Sequence, residues 1–154
     1  GYIDGTYKPN NPITRAQAAK IISNFLGLTP TNEKISFSDV DQNHWAFGVV
    51  RLVAQHKIMN GLGDGRFAPN ATITRAQMAQ ILYNAGFYSQ SINNQINSFS
   101  DVDNNHWAYV AIETMKQEGI LNGYADGRFG PNDSVSRAQI AAIIYRLYEK
   151  GLSK

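Results

Sequence analysis

An internal repeat constrains the fold of this chain more than any other feature of its sequence. Residues 37–83 align without gaps on residues 99–145, and just over half of the aligned positions are identical. Residues 1 to about 28 align only with the second half of that unit. Because repeated units bury their apolar faces against one another, we expect one domain over residues 1–154. It would hold a partial first motif at 1–36 and complete motifs at 37–98 and 99–154.

Each complete unit has the pattern of a helix, a turn-rich connector and a second helix. In the first helix, apolar residues recur at helical spacing after "FSDVD". Asn43 and Asn105 are candidate N-caps for helices that open with Trp45 and Trp107. The sequence therefore predicts a tryptophan-led helix at the start of each complete motif.

The second helix of each unit begins with a repeated pentapeptide. "ITRAQ" stands at 13–17 and 73–77, and "VSRAQ" stands at 135–139. A Ser or Thr followed three residues later by Gln forms a capping box, so each helix is predicted to start at the arginine. Three such helices, apolar on more than one face, indicate an all-α fold built on a three-helix bundle.

Arg15, Arg75 and Arg137 then occupy the unfavourable end of a helix for a cation, because the macrodipole is positive there. One interpretation is that each arginine reaches back to an aspartate of a neighbouring unit. The other is an anion site, in which the guanidinium lies beside unoccupied helix N–H groups and grips a carboxylate of a ligand. The second interpretation predicts a small anionic ligand.

The connector "NGLGDGRFAPN" is rich in Gly, Asn and Pro and predicts a compact loop. We expect Phe67 and Phe129, with Tyr7 in the partial motif, to plug this loop into the core. Gly119 is a candidate helix terminator in the left-handed conformation, and Lys57 stands at the same place in the other copy.

Two loop arginines and the two tryptophans each have a structural interpretation. Arg66 and Arg128 in "DGRF" are interpreted as loop supports, paired with the aspartate two residues earlier in each loop. Trp45 and Trp107 fit either a buried core plug or an exposed wall against which the C–H face of a sugar ring packs.

Composition and spacing argue against several other functions. A net charge of +2 without a basic run does not favour nucleic acid, and no apolar stretch approaches the length of a membrane span. The sequence has no cysteine and no nucleophile motif, and its histidines do not have the spacing of metal ligands. "DVDQNHW" departs from a calcium loop at the sixth and twelfth positions. We therefore predict no catalytic residue, no metal and no cofactor.

Several motifs in fixed order closely resemble those of S-layer homology domains. They are "FSDV", "HWA", "NG" followed by "DGRF" and "PN", and "ITRAQ", and the resemblance covers essentially the whole chain. It implies a pseudo-threefold fold with a central three-helix bundle, three projecting helix-loop prongs and grooves between motifs. It further implies an extracellular module that anchors proteins to bacterial cell-wall glycans, commonly secondary polymers that carry pyruvylated N-acetylmannosamine.

The resemblance also implies which residues bind the glycan. The binding arginines would be Arg15, Arg75 and Arg137. The groove walls would come from the tryptophans and from the loop dipeptides, namely Trp45, Trp107, Asn60, Gly61, Asn122 and Gly123. Gly1 holds the corresponding loop position in the partial motif. Glutamine stands after "TRA" where many members have glutamate, which removes a negative charge close to the arginine.

The partial first motif departs from the family pattern, because it lacks the leading "FSDV" and tryptophan helix. The sequence is then either an excised piece or is completed by another chain, which would permit self-association. Alternative functions are a protein–protein self-assembly module of a surface layer and a module that binds peptidoglycan. A wall hydrolase is a further class, for which the sequence offers no catalytic pattern.

Overall fold

The computed structural model describes residues 3–89, 92 and 96–152, and this part of the chain is all-α as predicted. Its five helices are α1 (Arg15–Phe25), α2 (Phe47–Gln55), α3 (Arg75–Asn84), α4 (Tyr109–Gln117) and α5 (Arg137–Glu149). Across the described residues, none of the helices combines the length and the apolar character needed to cross a bilayer. Gly1, a predicted groove residue, lies outside the described residues.

A closed ring of backbone hydrogen bonds joins the segments that precede α1, α3 and α5. The N–H of Ile13 donates to the carbonyl of Val135 at 2.9 Å, and the N–H of Val135 donates to that of Ile73 at 2.9 Å. The N–H of Ile73 donates to the carbonyl of Ile13 at 3.2 Å, which closes the ring. All three side chains are buried. The cyclic order of these bonds is compatible with the predicted threefold symmetry, which itself stays a prediction.

Each of the three helices also begins against the connector of the next motif. The first two N–H groups of α1, from Arg15 and Ala16, donate to the carbonyls of Ala71 and Pro69 at 2.8 and 3.0 Å. The same pattern recurs in cyclic order at α3, with the carbonyls of Asp133 and Pro131, and at α5, with those of Asn11 and Pro9. The helix starts and the connectors therefore hold the motifs together.

The predicted capping boxes are confirmed at all three helices. Thr14 Oγ1 accepts the N–H of Gln17 at 3.3 Å, and Gln17 Oε1 accepts the N–H of Thr14 at 3.0 Å. Equivalent pairs open α3 and α5. With two N–H groups bound to the connector and a third to the cap, the start of each helix has its backbone donors satisfied.

The tryptophan-led helices begin later than the sequence predicts. Helix α2 starts at Phe47 after an N-cap at Ala46, with no side-chain cap, and α4 starts at the equivalent position. The prediction that Asn43 and Asn105 cap these helices is therefore wrong. Asp41 accepts the backbone N–H groups of Asn43 and His44, which folds the preceding residues into a turn. Trp45 and Trp107 lie in these turns and not within the helices.

The most extensive contacts between helices are those of α1 with α2 and of α3 with α4. Helix α5 has no helix packed against it to the same extent among the described residues. Ala138 and Ala141 of α5 are exposed, whereas the alanines at the same places in α1 and α3 are buried, namely Ala16, Ala19, Ala76 and Ala79. Tyr145 and Tyr148 lie exposed on α5 as well. The central three-helix bundle stays a prediction.

Two of the three predicted core plugs are confirmed. Phe67 and Phe129 are completely buried, each with its ring against an aromatic ring from the "FSDV" segment of its own motif. Tyr7 is about half exposed, so the third prediction is wrong. The reason is local, because no aromatic ring among the described residues packs against Tyr7 as Phe37 and Phe99 pack against Phe67 and Phe129.

The ends of α2 and α4 share one backbone conformation but not one residue type. Gly119 follows α4 with φ 68°, as predicted for a helix terminator, and Lys57 follows α2 with φ 56°. A Cβ added at Gly119 would meet no atom within 4 Å. The left-handed conformation costs a non-glycine residue about 1–2 kcal/mol, so Lys57 is a strained position.

We expect Lys57→Gly to raise the free energy of unfolding by about 0.5–1 kcal/mol, because relief of the left-handed strain exceeds the added backbone entropy of glycine. The matched reverse change, Gly119→Ala, should lower it by about 1 kcal/mol. Urea unfolding of both variants measures the two effects. Equal stability of Lys57→Gly and the parent chain would contradict the assignment of strain.

Candidate ligand-binding grooves

Arg15 is held by the connector of the second motif. Its Nε donates to the carbonyl of Phe67 at 2.8 Å, and its Nη2 donates to the carbonyl of Asn60 at 2.7 Å. The guanidinium carbon lies 4.7 Å from the centre of the Phe67 ring. The residue is only 7% exposed. A buried cation is thus bound by two carbonyl oxygens and an aromatic face.

Arg75 repeats the arrangement with the third motif. Its Nε and Nη2 donate to the carbonyls of Phe129 and Asn122, each at 2.7 Å. The guanidinium carbon lies 4.5 Å from the centre of the Phe129 ring and 4.9 Å from that of Tyr124. Arg75 is 8% exposed. These bonds use two of the five N–H groups of a guanidinium, which leaves donors for a ligand.

Arg137 contacts the partial motif in a related way. Its Nε donates to the carbonyl of Tyr7 at 2.7 Å, and its guanidinium carbon lies 4.7 Å from the Tyr7 ring. The Tyr7 hydroxyl in turn donates to the carbonyl of Arg137 at 3.0 Å. All three arginines therefore bind the residue that aligns with Phe67.

Both sequence interpretations of these arginines need correction. Within the described part of the chain, no carboxylate lies within ion-pair distance of the Arg15 or Arg75 guanidinium, so pairing with an internal aspartate is wrong for these two. Unoccupied helix N–H groups are also absent, because carbonyls of the next connector and the cap accept them. What remains of the anion-site hypothesis is the guanidinium itself.

Carbonyl binding explains how a cation tolerates the positive end of a helix. The guanidinium turns away from its own helix toward the negative ends of two carbonyl dipoles and the negative face of a ring. Burial nevertheless lowers the pKa of the Arg15 and Arg75 guanidinium groups from the usual value, against a smaller opposing effect of nearby acidic groups. Each site therefore carries a positive charge that the protein only partly compensates.

The aspartate of each "FSDV" segment orients the part of the connector whose carbonyl binds the arginine. Asp101 accepts the backbone N–H groups of Phe129 and Gly130 at 2.7 and 2.9 Å, and Asp39 does the same in the second motif. Burial by itself raises the pKa of the Asp101 carboxyl, but these bonds, its own backbone N–H and Arg128 outweigh burial and lower it.

No group of three His, Asp or Glu side chains in the described ranges is arranged as metal ligands would be.

Two open clefts lie beside these arginines. The Arg75 groove, about 230 Å³, is lined by Arg75, Leu121, Asn122, Gly123, Tyr124, Gln139, Ala142, Ile143 and Arg146. The Arg15 groove, about 140 Å³, is lined by Arg15, Ile58, Met59, Asn60, Gln77, Gln80, Ile81, Asn84 and Trp107. Each groove thus combines an arginine from one helix, a connector and the face of the following "RAQ" helix. Neither lining contains an acidic side chain.

The tryptophans are exposed, which removes the core-plug interpretation. Trp107 is 62% exposed and lines the Arg15 groove. Trp45 is 58% exposed and lies near α1, where Lys20 Nζ is 5.8 Å from the centre of its ring. The structure therefore places Trp107, not Trp45, in the groove of Asn60. The lining of the Arg75 groove includes no tryptophan.

The loop glycines have a packing role that the sequence analysis did not assign. A Cβ at Gly61 would come within 2.6 Å of the Phe37 ring and 2.7 Å of the Arg66 carbonyl. Gly123 meets the equivalent ring and the Arg128 carbonyl. Gly123 lines the Arg75 groove, whereas Gly61 is not among the residues that line the Arg15 groove. These glycines permit the close approach of connector and ring.

The residues that α3 and α5 contribute to the grooves are not predicted from the sequence. Gln77, Gln80 and Asn84 of α3 line one groove, and Arg146 of α5 lines the other. Their helical spacing places them on one face, but only the packing shows that this face is open. Tyr124 was missed because Leu62 stands at its place in the other motif.

The exposed loop arginines behave as predicted. Arg66 pairs with Asp64 at 2.7 Å, and Arg128 pairs with Asp126 at 2.8 Å. These pairs add no net charge to the loops, because the carboxylate of each aspartate balances the guanidinium of its arginine. Both pairs lie outside the lining of the two grooves.

Asp101 provides a test of how the connector is held. Because its pKa is lowered in the folded state, its carboxylate stabilises the fold above the unfolded pKa of about 3.9, and this contribution is lost as the pH falls through the folded-state pKa. We expect Asp101→Asn to reduce the free energy of unfolding by about 1–3 kcal/mol at neutral pH, and by less at about pH 2. Denaturant unfolding across this pH range measures both effects.

The exposed Asp103 is the matched control, since asparagine at this position retains an oxygen for the turn it makes with Asn105. Asp103→Asn should change stability little at either pH. Equal effects of the two substitutions would show that Asp101 has no special part in holding the connector.

Comparison with known proteins agrees with this architecture. A model of the S-layer homology domain family matches residues 1–19, 36–79 and 98–141. The chain is 36% identical to a cellulosome-anchoring protein of Acetivibrio thermocellus, over 98% of the chain and 35% of that protein. It is 32% identical to an S-layer protein of Bacillus licheniformis, over 94% of the chain and 16% of that protein.

An amylopullulanase of Thermoanaerobacterium thermosulfurigenes is 32% identical over 97% of the chain but only 8% of the enzyme. The chain thus spans about a third or less of these relatives, whose names describe different activities. What these relatives share with this chain is a segment that is a minor part of each, so the different activities in their names are not assigned to it. The three matched segments cover more than half of the residues. This chain belongs to the family of S-layer homology domains, which locate to the cell surface and cell wall.

Proposed function

We propose that this domain is a non-catalytic anchor that binds an acidic secondary cell-wall glycan in its grooves. The ligand class is a polymer that carries a pyruvate ketal, such as pyruvylated N-acetylmannosamine. The carboxylate of the ketal would bind the arginine of a groove, and the sugar ring would lie along the connector.

The state of Arg75 is the observation that carries this proposal. Its guanidinium is buried and lines an open cleft, and within the described part of the chain its partners are carbonyls and aromatic faces. A carboxylate in that cleft would complete a charge-assisted interaction that the protein leaves open. Because the surroundings are partly desolvated, such a bond is stronger than one formed on the surface.

The aromatic lining of the Arg15 groove is a second reason to propose a saccharide ligand. Trp107 places an exposed indole at the edge of the same cleft as Arg15. An indole face packs well against the apolar C–H face of a sugar. The Gln80 and Asn84 amides bond to each other, and Asn84 also bonds to the Ile58 carbonyl, so their remaining donors and acceptors are the partners for hydroxyl groups. A cation, an aromatic wall and amides together suit an acidic sugar.

The presence of more than one groove suits a polymeric ligand. A single sugar binds weakly, but repeating units on one polymer raise the effective concentration at the second groove. Firm attachment then needs no covalent bond. The lining of the Arg75 groove offers no Asp, Glu or His for acid–base chemistry, which supports an anchor over a hydrolase.

We expect Arg75→Ala to weaken binding to pyruvylated wall polymer by about tenfold to a hundredfold, the usual effect of losing a charged hydrogen-bonding partner. Calorimetric titration measures this change. Arg66→Ala is the matched control, because Arg66 is exposed, is paired with Asp64 and belongs to the connector of the other motif. A melting curve of Arg75→Ala verifies that the fold persists.

Chemical removal of the pyruvate provides a second measurement that does not alter the protein. The depyruvylated polymer should lose most of its affinity for the unchanged domain. Equal affinity for both polymers, with or without Arg75, would overturn the proposed ligand class.

A further inference from the structure

The two described grooves use the same four positions of their "RAQ" helices, and they differ in charge at one of them. Gln77, Gln80, Ile81 and Asn84 of α3 line the Arg15 groove, and the aligned residues of α5 line the Arg75 groove, namely Gln139, Ala142, Ile143 and Arg146. The last position is neutral in one groove and cationic in the other. The lining of the Arg15 groove thus contains one arginine, and that of the Arg75 groove contains two.

Asn84 and Arg146 also make the same backbone contact. Arg146 Nη1 donates to the carbonyl of Ile120 at 3.0 Å, and Asn84 Nδ2 donates to the carbonyl of Ile58 at 3.3 Å. Ile58 and Ile120 are aligned residues of the repeat. The structural task of this position can therefore be met by a neutral amide. Arg146 adds a charge that this task does not need.

Arg146 and Arg75 line the same cleft and are held by nearby carbonyls of the same segment. Arg75 Nη2 binds the carbonyl of Asn122, two residues beyond the carbonyl that holds Arg146. Both side chains line one cleft of about 230 Å³, whose lining has no acidic residue. Two like charges in such a cleft repel each other, and an anion placed in the cleft relieves that repulsion.

We propose that Arg146 is a specificity-determining residue that makes the Arg75 groove the primary anion site of the domain. It acts with Arg75 on the same acidic group of the glycan. The Arg15 groove, with one cation and Trp107, binds the same sugar more weakly and depends more on contact with the ring. This inference rests on the proposed function and ranks the grooves within it.

The test is a titration with the methyl glycoside of pyruvylated N-acetylmannosamine, followed by amide NMR. The amide signal of Gly123 reports on the Arg75 groove, and that of Asn60 reports on the Arg15 groove. In the parent domain we expect about tenfold tighter binding at Gly123 than at Asn60, for one added charged contact. Binding at Gly123 should also weaken more steeply with added salt.

Arg146→Asn is the decisive variant, because it installs the residue that the α3 groove already uses for the same carbonyl. It should reduce the affinity at Gly123 about tenfold and reduce its salt dependence to that seen at Asn60. The reciprocal Asn84→Arg should raise the affinity and the salt dependence at Asn60. A purely structural role of Arg146 would leave the salt dependence unchanged.

The outcomes separate this inference from the proposed function. If Arg146→Asn changes neither the affinity nor the salt dependence at Gly123, while Arg75→Ala still abolishes binding there, Arg146 has no part in specificity and the anchor proposal stands. If the sugar shifts neither reporter in the parent domain, both proposals fall.

Discussion

The fold and the candidate site depend on one interaction, the binding of a buried guanidinium by carbonyl oxygens of the neighbouring connector. For Arg75, the carbonyls of Phe129 and Asn122 fix the group, and the Phe129 ring supports its face. Carbonyls orient a cation without cancelling its charge. The same contact therefore joins two motifs and leaves a positive site at the cleft between them.

A hierarchy of backbone contacts makes that interaction possible. Asp101 holds the N–H groups of Phe129 and Gly130, which turns the Phe129 carbonyl toward Arg75. The N–H groups at the start of α3 are meanwhile bound to the carbonyls of Asp133 and Pro131. Because the helix end is fully occupied, the proposed ligand recognition is assigned to the guanidinium edge and to the side chains along the next helix.

Much of this arrangement can be predicted from the sequence, because it is local and repeated. The capping boxes, the pairing of Arg66 with Asp64 and the burial of Phe67 follow from short patterns with known physical causes. The repeat also indicates which positions are equivalent. It cannot show which copy contacts which, and so the pairing of Trp107 with the Asn60 connector emerges only from the fold.

The errors have the same origin. Backbone carbonyls leave no signature in a sequence, so the sequence predicts only an aspartate or a ligand as the partner of each arginine. The alignment of Tyr7 with Phe67 predicts a buried ring. Burial of Phe67 depends on its contact with Phe37, and no aromatic ring among the described residues packs on Tyr7 in that way. Arg146 was overlooked because a charge on a helix face usually faces solvent, and only packing makes that face a groove wall.

The most direct measurement is the side-chain NMR signal of the arginine Nε–H groups during titration with pyruvylated N-acetylmannosamine. The account predicts that the Arg75 signal shifts with the acidic sugar and stays unchanged with the pyruvate-free sugar, while the signal of the aspartate-paired Arg66 moves with neither. A saturable sugar-induced shift elsewhere in the domain, with the Arg75 signal unchanged, would contradict it.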